Sequence, residues 1–209
     1  MVVYDKFQKE DNMKKTTQFE KLAPLFQQPY FNSKEAKNLG IGTSLLHHYV
    51  KSGQLKWVQR GVYQYTEAAP IGFRWQDLIL AITSIPHGVI CLNSALAIYE
   101  LAEVMPREHW IGIPHNRSSK KKALIKLIHF RNIELGKTEI ELERTRVPIF
   151  DRERTIVDAF RLLSRETAIK ALRTALHQKG TKKLDLIKLE RYAKQLRCNI
   201  APYILSETT

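Results

Sequence analysis

Residues 31–65 read FNSKEAKNLGIGTSLLHHYVKSGQLKWVQRGVYQY, and the reading of this stretch decides the N-terminal fold. It fits two short helices followed by a two-stranded ribbon. Asn32 and Ser33 are helix-capping residue types, Glu35 stands three positions after Asn32 as in a capping box, and Gly40 supplies the stop. A second helix takes Thr43 or Ser44 as its cap and ends at Gly53. Leu55, Trp57 and Tyr63 are strand formers around an Arg60-Gly61 turn, the pattern of a hairpin. Helix, turn, helix and hairpin in this order make a winged helix-turn-helix, whose second helix enters the major groove of DNA.

The faces of that second helix separate by spacing. Leu45, Leu46, Tyr49 and Val50 recur at helical intervals and point inward. Ser44, His47, His48 and Lys51 fall at i, i+3, i+4 and i+7, on one polar stripe with Thr43 beside its start. Hydroxyl, imidazole and ammonium groups can all hydrogen-bond base edges or phosphates. Arg60, at the wing tip, is placed to reach a phosphate or a neighbouring groove. The competing reading is a solvated face on a short helix.

Composition narrows the partners without choosing one. The 209 residues carry 34 Lys+Arg against 21 Asp+Glu, a formal net charge of +13, and the isoelectric point is near 9.8. Such a balance attracts a nucleic acid, an acidic protein or an anionic surface alike. Residues 1–70 hold 10 of the cations and 6 of the acids, so the larger excess lies beyond the winged helix. No apolar run approaches the ~18 residues of a membrane span, and the N-terminus lacks an apolar signal core, so a cytoplasmic location is expected. Cys91 and Cys198 are too isolated for a disulfide framework or a zinc knuckle.

Three parts follow along the chain. Residues 1–15 are polar and aperiodic, a disordered arm in which Met13 offers an alternative start. Residues 16–70 form the winged helix, opened by a helix over Thr17–Gln28 that Pro24 kinks or splits. Leu22, Phe26, Ala36, Leu39, Leu46, Tyr49, Val50 and Trp57 supply its core, and residues 66–72 read as a linker. Residues 71–209 form the second domain. Trp75, Leu78, Ile79 and Ile82 mark a helix broken at Pro86-His87-Gly88, before a short strand at Val89-Ile90-Cys91 and a helix capped by Asn93 or Ser94. Strands are expected at His109–Ile113, Leu124–Phe130, Glu139–Glu143 and Val147–Phe150, and three closing helices at Arg152–Leu163, Arg165–Gln178 and Leu184–Arg197. The whole is α+β: an N-terminal winged helix-turn-helix, then a mixed α/β C-terminal domain with an antiparallel or mixed sheet flanked by helices.

Two basic features stand out in the second part. Arg117, Lys120, Lys121 and Lys122 lie in a Ser-containing loop between strands, suited to tracking a phosphate backbone, or else simply solvated. Lys170, Arg173 and His177 lie opposite the apolar stripe of the Arg165–Gln178 helix, which leaves Lys170 and Arg173 open to a partner protein. Arg154 and Asp158, at i and i+4, form an internal structural pair. No Gly-rich phosphate loop, metalloprotease, hydrolase or redox motif is present, and nothing calls for a metal or cofactor. Glu139, Glu141 and Glu143 alternate along one strand, which reads as an edge strand with a solvated face rather than a catalytic cluster.

A winged helix ending LKWVQRGVYQY, then CLNSALAIYELAEVMP, then WIGIP with a basic loop, then VPIFDRERTIVDAF, resembles the AbiEi-type antitoxins of type IV toxin–antitoxin, or abortive-infection, systems. The resemblance runs from about Thr16 to Arg197, and the GVY end of the wing and the ERTIVDAF helix are its most specific parts. It implies a non-enzymatic protein of two parts. The winged helix would bind inverted repeats in its own promoter as double-stranded DNA and repress the operon. The C-terminal domain would counter a nucleotidyltransferase-like toxin and assist DNA binding. The other classes compatible with the residues are a stand-alone winged-helix regulator and a nucleic-acid-processing enzyme targeted by the winged helix.

Overall fold

The computed structural model describes residues 18–68, 74–102, 106–118 and 123–208. The expected arm 1–15, residues 69–72 of the linker, and Lys120, Lys121 and Lys122 lie outside the described residues. By compactness the chain forms two units: Met1–Ser84 with Glu141–Thr145, and Ile85–Ile140 with Arg146–Thr209.

In the first unit the expected opening helix is split. Residues 18–20 are helical, the chain turns, and α1 (Ala23–Phe26) restarts with Pro24 in its first turn, where a missing N–H leaves no bond unmade. β1 (Phe31–Asn32) then runs straight into α2 (Ser33–Asn38). The capping box is present: Asn32 Oδ1 accepts from Lys34 N at 2.9 Å and Glu35 N at 3.0 Å, and Glu35 Oε2 accepts from Asn32 N at 2.6 Å. Burial raises the Glu35 carboxyl above its usual range, and the Asn32 N–H opposes that rise. Gly40, at φ +81°, turns the chain out of α2 in the left-handed region that side chains disfavour, and Ile41 plugs the corner beneath it.

α3 (Thr43–Lys51) and the hairpin of β2 (Leu55–Gln59) and β3 (Val62–Tyr65) complete the helix-turn-helix and wing. The three strands form an antiparallel sheet in the order β1-β3-β2. Its inner face closes on Leu22, Leu25, Phe31, Ala36, Ile41, Leu46, Tyr49, Leu55 and Tyr63. Each such burial stabilises by roughly 1.5–3 kcal/mol for a large apolar side chain. Trp57, expected in this core, is instead 60% exposed. It lies opposite Tyr63 on the outer strand, and Tyr63 and Phe31 already fill the interior position on that row. α4 (Gln76–Thr83) belongs to the same unit: Gln59 Nε2 donates to Leu80 O at 3.3 Å, and Gln76 Nε2 to the Tyr30 hydroxyl at 3.0 Å.

The second unit is built on a mixed sheet of β4 (Val89–Ile90), β5 (His109–Pro114), β6 (Ile125–Phe130), β7 (Lys137–Leu142) and β8 (Thr145–Phe150), in the order β6-β5-β4-β8-β7. β4 runs antiparallel to β5 and parallel to β8, and β5 runs parallel to β6. α5 (Leu92–Ile98) is capped by Cys91, not by Asn93 or Ser94; Ser94 lies buried inside the helix, where its Oγ accepts from Trp110 N at 2.8 Å. Glu143 and Arg144, at φ +48° and +65°, form the two-residue turn between β7 and β8. Glu143 therefore leaves the strand face that Glu139 and Glu141 share, while β7 is an edge strand as expected.

Helices α6 (Arg152–Leu162), α7 (Arg165–His177), α8 (Leu186–Gln195) and α9 (Ala201–Thr208) follow. Asp151, Ser164 and Asp185 cap the first three through Arg154 N, Thr167 N and Lys188 N. The fourth closing helix is one more than the sequence predicts; Pro202 sits in its first turn, where proline is tolerated. Among the described residues no helix is long and apolar enough to cross a membrane.

Candidate nucleic-acid interface

α3 carries the strongest candidate surface. Its N-cap is Gly42, in extended conformation and without a side-chain bond, so Thr43 and Ser44 are already helical and neither caps the helix as expected. A capping hydroxyl must precede the first helical residue; one position later, both hydroxyls are left exposed. Leu46 and Tyr49 are buried and Leu45 and Val50 pack partly beside them, the inward face that spacing indicated. Ser44, His47, His48 and Lys51 are all exposed. Among the described residues, Thr43, Ser44, His47 and Lys51 make no side-chain hydrogen bond or ion pair, and His48 makes only an edge contact with the Tyr49 ring at 5.8 Å.

The wing stands on firm supports. Gly61, at φ +74°, closes the turn beside Arg60, and its carbonyl accepts from Ser33 N at 2.9 Å and Ser33 Oγ at 3.2 Å. The hairpin tip is thereby tied to the start of α2, and Gln59 ties it to α4. Arg60 is exposed, as are Lys56, Trp57 and Val58 on the outer strand. One sequence signal was there to be read: from Ala36 to Thr66 there is no acidic residue, and Lys37, Lys51, Lys56 and Arg60 are all exposed.

The candidates of the second unit fare differently. Arg117 is exposed beyond β5, whereas Lys120, Lys121 and Lys122 lie outside the described residues. Lys170 and Arg173 are not open as expected. Lys170 pairs with Glu166 one turn earlier at 2.8 Å. Arg173 forks onto Glu207 of α9 at 2.6 and 2.9 Å, and this bond holds the Glu207 carboxyl below the usual range. The reason is invisible at the level of one helix, since α9 supplies the carboxylate from 34 residues away.

Arg154 and Asp158 form the internal pair that i, i+4 spacing indicated, at 2.7 Å and fully buried. Arg154 Nη1 also donates to the carbonyls of Leu135 at 2.7 Å and Asn132 at 3.1 Å, and the guanidinium lies over Phe150 at 4.4 Å. Gly136 has to be glycine here: a Cβ would stand 2.7 Å from Arg154 Cβ. Among the described residues no group of three His, Cys, Asp or Glu side chains is placed to hold a metal ion.

Residues 20–66, the winged helix, match the family described as transcriptional regulator, AbiEi antitoxin. That is the family the sequence resembles. In fold the chain is similar to the RV2827C protein from Mycobacterium tuberculosis, whose crystal structure aligns with a TM-score of 0.50 and 12% identity over 85% of this chain and 71% of that one. At this identity the likeness speaks for the fold alone. No curated protein matches the sequence.

Proposed function

We propose that this chain is a DNA-binding antitoxin that represses its own operon. α3 reads the major groove of an inverted repeat in the promoter through Thr43, Ser44, His47, His48 and Lys51, and Arg60 of the wing grips the flanking backbone. Arg117 and the lysines at 120–122 add phosphate contacts from the second unit, which also counteracts a nucleotidyltransferase-like toxin. The observation that carries the reading is the row of exposed polar side chains on α3, without side-chain hydrogen bonds or ion pairs among the described residues, inside a stretch devoid of carboxylates. A surface of donors with no acid to repel phosphate suits a polyanion, and the match of the same residues to a regulator family supports it.

Footprinting of the purified chain on its own upstream region tests the proposal. Protection of two half-sites about one helical turn apart, with binding that weakens steeply as salt rises, is the expected result. Equal affinity for that region and for random duplex sinks the specific-repressor reading. Co-expression with a nucleotidyltransferase encoded beside it tests the antitoxin half: growth must be rescued.

A further inference from the structure

We propose that the wing carries an aromatic wedge, Trp57 with Val58, that packs against the sugar and base edges of the minor groove beside the α3 site. This rests on the DNA-binding reading above and adds to it a contact that the reading does not require. Trp57 is the outlier among the three tryptophans. Trp75 is half-buried beneath Arg74, and Trp110 is half-buried with Lys126 Nζ 3.9 Å from its ring centre. Trp57 is 60% exposed, and among the described residues no ring, cation or hydrogen-bond acceptor meets its indole.

The placement is built rather than accidental. The strand register steps from Trp57↔Tyr63 to Gln59↔Val62, so Val58 is the extra residue of a bulge. Bulges re-aim side chains and recur beside functional surfaces. Val58 is also exposed, which puts two adjacent apolar side chains at the outer edge of the sheet. The backbone that presents them is braced on both sides, by Gln59 on Leu80 and by Ser33 on Gly61. A preorganised wedge loses little freedom when it binds.

Charge selects the occupant. Lys56 and Arg60 flank the two apolar residues, and no acidic residue occurs between Glu35 and Glu67. Apolar side chains flanked by Lys and Arg are how many proteins enter the minor groove, where the cations hold phosphates while the wedge contacts sugars and base steps. The indole N–H adds a donor for the acceptors that line that groove.

The test uses the full chain with a duplex from its own upstream region and a random-sequence duplex of equal length. Tryptophan emission, acrylamide quenching and band-shift affinity are followed for the wild type, Trp57→Phe and Trp57→Ala. The wild type should change emission and lose acrylamide access on binding DNA, and Trp57→Phe should lose that signal and bind a few-fold more weakly, because the ring is kept and the N–H donor is lost. Trp57→Ala should bind roughly tenfold more weakly or worse, the scale of losing the burial of one large apolar side chain. Full affinity in Trp57→Ala, with His47→Ala/Lys51→Ala still impaired, overturns the wedge and leaves the DNA-binding reading standing. Absence of duplex binding by the wild type removes both. An emission change that follows protein concentration without DNA also overturns the wedge, because it makes this edge a contact between copies.

Discussion

Replacing Arg154 with alanine should be among the most damaging single changes in the second unit. Arg154 is 1% exposed and joins Asp158, itself 0% exposed, at 2.7 Å; it also supplies the carbonyls of Leu135 and Asn132 with a donor. The alanine variant leaves Asp158 with Arg161 alone, at 2.6 Å and from a side chain 31% exposed. Removing one partner of a buried pair costs about 3–5 kcal/mol. At ~2–4 °C per kcal/mol for a chain of this size, the melting temperature should fall by roughly 6–20 °C. The dependence on pH has a definite sign. Burial raises the Asp158 carboxyl, against the pull of Arg154 and Arg161; without Arg154 it rises further. A carboxyl raised in the folded state adds stability as pH falls through its folded value and loses it as pH rises. The deficit of Arg154→Ala should therefore be largest near neutrality and narrow toward the ordinary carboxylate range near pH ~4. Adding Asp158→Asn should recover part of the loss at neutral pH. Calorimetry at several pH values provides the measurement. A shift below ~2 °C, or a deficit that grows on acidification, refutes the reasoning.

Four further outcomes are expected. His47→Ala with Lys51→Ala should weaken operator binding by ~1–3 kcal/mol for each base that the wild-type pair hydrogen-bonds and leave the melting curve unchanged; unaltered band shifts count against α3 as the reading helix. Arg60→Ala should weaken binding to many sequences alike and reduce the log–log salt slope by about 0.9, one phosphate neutralised; an unchanged slope excludes a phosphate as its partner. Asn32→Ala should destabilise the first unit by ~0.5–2 kcal/mol, read by denaturant titration, because two N–H groups of α2 go uncapped. Arg173 holds the Glu207 carboxyl below its usual range, so that bond contributes above the unfolded value near pH ~4.3 and is lost as pH falls through the folded one. Protection of the α9 amides against hydrogen exchange, taken relative to the intrinsic rate at each pH, should accordingly fall in acid, and Glu207→Gln should lower it at neutral pH; equal protection in both proteins rejects the link.

How legible the fold is depends on how local each cause is. The capping box at Asn32–Glu35, the stop at Gly40 and the turn at Arg60-Gly61 involve neighbours within a few residues, and all are readable from 31–65. The face of α3 is readable too, because a helix buries one stripe whatever it packs against. Trp57 departs from expectation because strand alternation tells which face a residue takes but not whether the sheet extends over it; the order β1-β3-β2 leaves it at the rim. Ser94 looks like a cap by residue type, yet its hydroxyl serves Trp110, sixteen residues on. α9 and its hold on Arg173 depend on a contact between separate helices, which one-dimensional spacing does not carry.

The same contrast decides where a polyanion would bind. By net charge the second part is the more basic, which suggests a second surface for nucleic acid. Much of that charge is used inside the unit. Arg154 and Arg161 share Asp158, Lys188 bridges Asp151 and Glu153 at 3.0 and 3.1 Å, and Arg152 serves the carbonyl of Lys182. Arg165 lies over Phe160 and Tyr203, and Arg173 is held by Glu207. A cation already paired with a carboxylate must give up that partner before it gains a phosphate, so such residues add little to association. The winged helix has the smaller excess, but its cations at 51, 56 and 60 face solvent in a stretch without acids. Unpaired charge on a rigid surface, rather than total charge, sets the attraction felt at close range, since screening removes most of the rest beyond ~10 Å. On that measure α3 and the wing offer DNA a surface despite their smaller excess, as do the exposed Arg117, Lys126 and Arg131 in the second unit's own acid-free stretch, 109–133.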